Sequence, residues 1–169
     1  MRTITLPVFG SVIEGQGGRL GAIMRGAAAD GSQDYALIVP DAEGAEIESI
    51  VWSKDWVKIK GADSKTDGTA NTAAMAAADL ELGKRIATLN LHDHQDWYLP
   101  AMAELQALHA NVPELFSKDS WYWSSTQYSR NGAWVQGFEY GYSTSYGDVK
   151  GFKLRARPVR KIPLSHFNP

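Results

Sequence analysis

The rhythm of hydrophobic and polar positions changes along the chain. Residues 3–6, 20–24, 35–39 and 50–52 are short β-prone runs, separated by turn chemistry at 15–18, at Asp30-Gly31 and at 40–44. An antiparallel sheet is the expected product. The run AAMAAAD then predicts a helix over about 71–82, with Asn71 or Thr72 as N-cap and Gly83 just past its end. Met75, Ala78 and Leu82 would give it one packing face, and its alanines let a helix backbone lie close to a sheet. A second helix is expected over 100–110, opened by Pro100, carrying Met102, Leu105 and Leu108, and stopped by Pro113. From Trp121 onward, WYWSS, AWVQGF and KLRARPVR read as strands joined by loops rich in Ser, Tyr, Gly and Asn. The predicted class is α+β, with mainly antiparallel strands and two helices. Without repeats or linkers, residues 1–169 are expected to form one domain with its core at about 10–160.

Composition narrows the possibilities. A chain of 169 residues, 44% hydrophobic and 21% charged, can bury a core without covalent staples. Its net charge of −2 offers no field for a polyanion, so nucleic acid is not expected as main partner. The lack of cysteine removes disulfides, thiolate metal sites and cysteine nucleophiles. The first ten residues carry one Arg and an apolar stretch broken by Pro7, unlike a secretory signal. No apolar run reaches the ~18 residues of a membrane span, so membrane insertion is not expected. The expected location is the cytoplasm of the producing cell, or a phage virion assembled there.

Few residues offer catalytic chemistry. Ser124, Ser125 and Thr126 lack a G-x-S-x-G elbow, and their hydroxyls are expected to satisfy strand-end backbone groups. Extended backbone would point His92 and His94 the same way, with Asp93 and Asp96 nearby, as zinc would require. No distant third ligand is apparent, so this stretch is read as a surface loop; neither metal nor cofactor is expected. Arg155, Arg157 and Arg160 would share one face of a last strand, as a basic stripe or, preferably, paired with Asp67 or Asp96. Asp96 can also accept backbone N–H groups at the turn before Pro100, while Trp97, Leu99, Trp123 and Trp134 are expected in the core.

In order, DGTANT (67–72), DWYLP (96–100) followed by Glu104-Leu105, YWSST (122–126), Ala133-Trp134 and RPVR (157–160) form a series that resembles the Lcl C-terminal domain family. GGRLGAIM and YALIVPDAEG look like weaker N-terminal strands of the same domain. The resemblance implies a fold similar to C-type lectins and formylglycine-generating enzymes, in a family found in bacterial adhesins and phage proteins. Oxidase chemistry of the second kind needs the cysteines this chain lacks. The chain is therefore read as a binder, not an enzyme.

Residues 126–146 are rich in Tyr, Ser, Gly and Asn, the composition of adaptable paratopes, where Tyr brings contact area at low entropy cost. The segment also resembles the rewritten C-terminal segments of variable proteins from diversity-generating retroelements. That resemblance implies a ligand face of Tyr128, Arg130, Asn131, Gln136, Glu139, Tyr140, Tyr142, Ser143, Ser145 and Tyr146, with Trp134, Phe138 and Gly141 holding the frame. The leading expectation is a phage or prophage tail-associated module that recognises a host surface protein or glycan. The alternative is an intracellular phage factor that binds and inhibits a host or defence complex. Assembly as a homo-oligomer is compatible with either.

Overall fold

Buried strands are the backbone of this fold. The computed structural model of the protein describes residues 5–144 and 149–167. Strands β1 (Val12–Ile13), β2 (Gly18–Met24) and β3 (Tyr35–Pro40) form an antiparallel meander, extended beyond β3 by the chain's last strand, Arg160–Pro163. Leu37 and Val39 of β3 face one apolar cluster, Ala36 and Ile38 another, which explains its almost unbroken apolar run. The strand expected at 3–6 is not formed at residues 5 and 6, and residues 1–4 lie outside the described part.

The second sheet is built around an equally buried strand. β4 is Ile47–Val51, and the three α-helices among the described residues follow it: α1 (Gly68–Ala77), α2 (Glu81–Ala87) and α3 (Met102–Asn111). Then come β5 (Trp121–Gln127), β6 (Ala133–Gly137), β7 (Ser143–Thr144) and β8 (Lys153–Ala156), in the spatial order β4-β8-β5-β6-β7. β5 runs parallel to β8, and every other pairing is antiparallel. Trp123 of β5 enters the cluster of Trp52, Met75, Leu82 and Ile86, while Tyr122 enters that of Leu105, Leu108 and Phe138. Sheets of mainly antiparallel strands with interposed helices make this an α+β fold, as expected.

Local chemistry corrects several expected boundaries. The helix predicted over 71–82 is two helices. Asp67, not Asn71 or Thr72, caps α1, accepting the Ala70 N–H at 3.1 Å. The first helix ends because Asp79 adopts φ 63°, and the N–H groups of Asp79 and Leu80 turn back to the carbonyls of Ala76 and Met75. Ala78 is accordingly exposed. Gly83 lies inside α2; a Cβ there would come within 2.6 Å of Met75 Cβ and Ala76 N, so glycine permits the close crossing of the two helices. Pro100 precedes α3, which is capped at Ala101 by the Glu104 carboxylate. KLRARPVR is not one strand: it breaks around Pro158 and feeds β8 to one sheet and β9 (Arg160–Pro163) to the other. Trp97, Leu99 and Trp123 are buried as expected, whereas Trp134 is only half-buried.

Candidate functional site

The motif residues turn toward one another. Arg160 donates two hydrogen bonds to the Asp96 carboxylate, Nε to Oδ1 at 2.8 Å and Nη2 to Oδ2 at 3.0 Å. Partial burial pulls the Asp96 carboxyl upward, but those bonds and the Arg160 charge outweigh it and hold the pKa below the ordinary value. Arg155 and Arg157 pair with Glu46, not with Asp67 or Asp96, and Arg157 also donates to the carbonyls of Leu115 and Pro40. The three arginines therefore do not form one stripe. Thr72 Oγ1 accepts the Leu99 N–H, and the Asn71 amide reaches the Ser64 carbonyl and Ser125 Oγ. Thr126 Oγ1 donates to the Ser64 carbonyl and accepts the Met102 N–H, while Ser124 Oγ donates to the Trp134 carbonyl. The hydroxyls of Ser124 and Thr126 are occupied with backbone, as the sequence suggested, whereas that of Ser125 accepts from the Asn71 side-chain amide instead.

Glu104 is the most deeply committed of these groups. It is 1% exposed and accepts from the hydroxyls of Tyr98 (2.7 Å) and Tyr35 (2.9 Å) and from the Ala101 N–H (2.7 Å). Burial pushes its carboxyl above the ordinary value despite these bonds, and pushes the Tyr98 phenol well upward too.

The histidine pair does not converge. His92 and Asp93 have φ of 52° and 63° and form a tight turn closed by reciprocal Leu91–His94 backbone bonds, so the backbone is not extended there. His92 Nε2 lies 3.1 Å from the Asp41 carboxylate, and His94 Nε2 bonds the Gly15 carbonyl. Among the described residues, no three His, Asp or Glu side chains are grouped as a metal site.

The tyrosine-rich segment supplies the β5–β6 turn and the outermost hairpin, β6–β7, of the second sheet. Tyr128, Tyr140 and Tyr142 are 60%, 73% and 65% exposed. Tyr128 meets Trp134 edge-on, and the Tyr140 and Tyr142 rings lie 6.1 Å apart. Arg130 and Glu139 are exposed, Asn131 and Ser143 partly so. The Glu139 carboxylate beside it raises the Tyr140 phenol above its ordinary value. Gln136 is a correction: at 2% exposure it sits within the sheet, its amide N–H bonded to the Gly137 carbonyl, and it cannot belong to a ligand face. Ser145 and Tyr146 lie outside the described residues. Phe138 does hold the frame, stacked on Phe116 at 4.0 Å, and Gly141 (φ 75°) makes room for the His109 ring.

β6 separates the exposed tyrosines into two groups, with Tyr128 beyond its start and Tyr140 and Tyr142 beyond its end. The second group borders a groove of about 160 Å³ lined also by Lys118, Asp119, Ser120, Trp121, Gly137 and Glu139. Sequence reasoning missed the Lys118–Trp121 side, because only the β5–β6 register, with Trp121 opposite Gly137, places it there. A cleft of about 710 Å³ between the 25–35 loop, Thr66-Asp67 and Lys161 was also missed. So was Lys150, which is buried, donates to the Val57 carbonyl and Gln127 Oε1, and sits 4.4 Å from the centre of the Trp52 ring. No helix among the described residues is long and apolar enough to cross a membrane.

Compared with curated proteins, the chain has no match. Among solved structures it is similar to a fimbrial protein from Bacteroides ovatus ATCC 8483, with 11% identity and a TM-score of 0.50, over 84% of this chain and 43% of that one. At that identity the likeness is one of fold, and this chain spans under half of the fimbrial protein's length. Residues 46–160 match the family model described as the Lcl C-terminal domain, a span running from the carboxylate that pairs Arg155 and Arg157 to the arginine that pairs Asp96; the chain belongs to that family.

Proposed function

We propose that this chain is a non-catalytic binding module whose ligand is taken at the edge of the second sheet, on the loops flanking β6 that bear Tyr128, Tyr140 and Tyr142. One contrast carries the reading. The motif carboxylates, arginines and hydroxyls are occupied with one another and with backbone, whereas three large amphipathic rings are left exposed in the two loops that flank β6. Exposed tyrosines joined by Ser, Gly and Asn suit recognition of another surface. The fold shared with a fimbrial protein fits an adhesin-type role, and the partner we favour is a host surface protein or glycan met by a phage or prophage tail-associated protein. No metal, cofactor or nucleic acid enters this reading.

The test is a variant carrying Tyr128→Ala, Tyr140→Ala and Tyr142→Ala, assayed for binding to whole bacterial host cells and to cytosolic extract. Each tyrosine that acts as an anchor should contribute about 1 to 3 kcal/mol to binding. The melting transition should stay within about 0.5 kcal/mol of the parent, because the three side chains lie at the surface. Undiminished binding by the triple variant would place the recognition face elsewhere. Tyrosine-dependent binding in extract but not on cells would replace the surface receptor with an intracellular partner.

A further inference from the structure

The groove between Trp121 and the paired tyrosines has the build of a cation receptor. Trp121 stands opposite Gly137 across the β5–β6 register, and a Cβ at 137 would lie 3.3–3.5 Å from three carbons of the indole's six-membered ring. Any larger residue would cover that part of the ring; glycine leaves it open. Tyr140 and Tyr142 add two exposed rings inclined at 48° to each other. Aromatic faces attract cations through their quadrupole, and several rings around one site add their pull. The groove's charge has the same sense: Asp119 and Glu139 stand against the single ammonium of Lys118. Neither carboxylate is ion-paired among the described residues. At about 160 Å³ the groove suits one compact head group and falls below the ~300 Å³ at which sites for drug-sized ligands begin.

We infer that this groove receives an alkylammonium cation, held between Trp121, Tyr140 and Tyr142 with Asp119 and Glu139 at the rim. The inference rests on the edge hairpin being the recognition surface and names the chemistry that surface selects. A quaternary ammonium head group and a lysine side chain share this chemistry.

The full-length chain is titrated with choline chloride, with the neutral tert-butyl analogue of choline and with an α-amine-blocked lysine amide, followed by tryptophan fluorescence and amide chemical shifts. Choline should bind saturably in the low-millimolar range, and the neutral analogue should bind at least about tenfold more weakly, since shape is kept and charge removed. Tyr140→Ala and Tyr142→Ala should each abolish the effect, Glu139→Lys should weaken it, and Val8→Ala, at an exposed position outside the groove, should leave it unchanged. Choline binding well above the lysine amide assigns a quaternary head group; comparable binding assigns a protein lysine. Equal affinity for the neutral analogue, absence of saturable binding by either cation, or a response that survives Tyr140→Ala with Tyr142→Ala would overturn the inference. If cations fail while the triple tyrosine variant still loses its partner, the ligand class falls and the recognition surface stands. If the triple variant keeps its partner, the recognition reading falls independently of the titration.

Discussion

Removing the Glu104 carboxylate tests whether the motif series is a load shared by hydrogen bonds. In Glu104→Ala three donors lose their acceptor, but not equally. The Tyr35 hydroxyl has the Thr66 carbonyl at 3.4 Å as a fallback, whereas no second acceptor is evident for the buried Tyr98 hydroxyl and the Ala101 N–H. Two orphaned buried donors at about 1–3 kcal/mol each give an expected loss of about 4 kcal/mol, partly offset by release of a desolvated carboxylate. Glu104→Gln keeps one oxygen for the tyrosines or for Ala101 but turns an NH₂ toward the other, and should cost about 1–2 kcal/mol. The two variants also differ from the parent in pH response. Because burial raises the folded pKa above the unfolded value of 4.5, the folded state holds the proton more tightly than the unfolded chain. This contribution to stability is present below 4.5 and is lost as pH rises through the folded pKa. Urea unfolding of parent and variants at several pH values between about 4.5 and 8 should show that component in the parent alone. A cost below about 1 kcal/mol for Glu104→Ala, or a Glu104→Gln variant with the parent's pH slope, would refute the reasoning.

Two further outcomes follow from packing and charge elsewhere. Gly83→Val should destabilise by about 2 kcal/mol or more, because its Cβ would press on Met75 and Ala76 where α2 crosses α1; thermal melting reads this, and near-neutrality would mean that the crossing can open. Burial lowers the Lys150 amine to about 8 from 10.5, so between those values the unfolded chain binds more protons and stability should rise with pH; Lys150→Met should remove that rise in urea titrations.

How much could be read in advance depended on whether a residue's role is local. Asp96, just before a chain turn, could be read as an arginine's partner and Arg160 takes it, whereas Glu104 was visible only as a member of the motif series that pointed to the right fold class, and its bonds to Tyr35, Tyr98 and Ala101 had to be seen in the fold. The break between α1 and α2 was hidden because it is made by an aspartate, Asp79, in a left-handed conformation amid strong helix formers, where a glycine would have announced it. Gly83, which did look like a stop, serves a contact between helices that spacing along one helix does not contain. Gln136 shared the composition of its neighbours and was grouped with them, but strand pairing put its side chain inside. The Trp121 side of the groove was invisible for the same reason: register, not composition, brings it to the tyrosines.

The passage of the last strands between two sheets has a consequence for synthesis. β8 lies between β4 and β5, and β9 borders β3, so the second sheet cannot close and the first cannot gain its fourth strand until residues 153–163 are available. Glu46 waits 109 positions for Arg155. On the ribosome, β3 and β5, each covered on both faces in the finished molecule, would emerge well before the segment that shields them. Pairings this distant in sequence are slow to form, and exposed apolar strands invite association between nascent chains. Completion therefore waits until residues 153–163 have emerged, and the yield of native protein should depend on how many unfinished chains share a compartment.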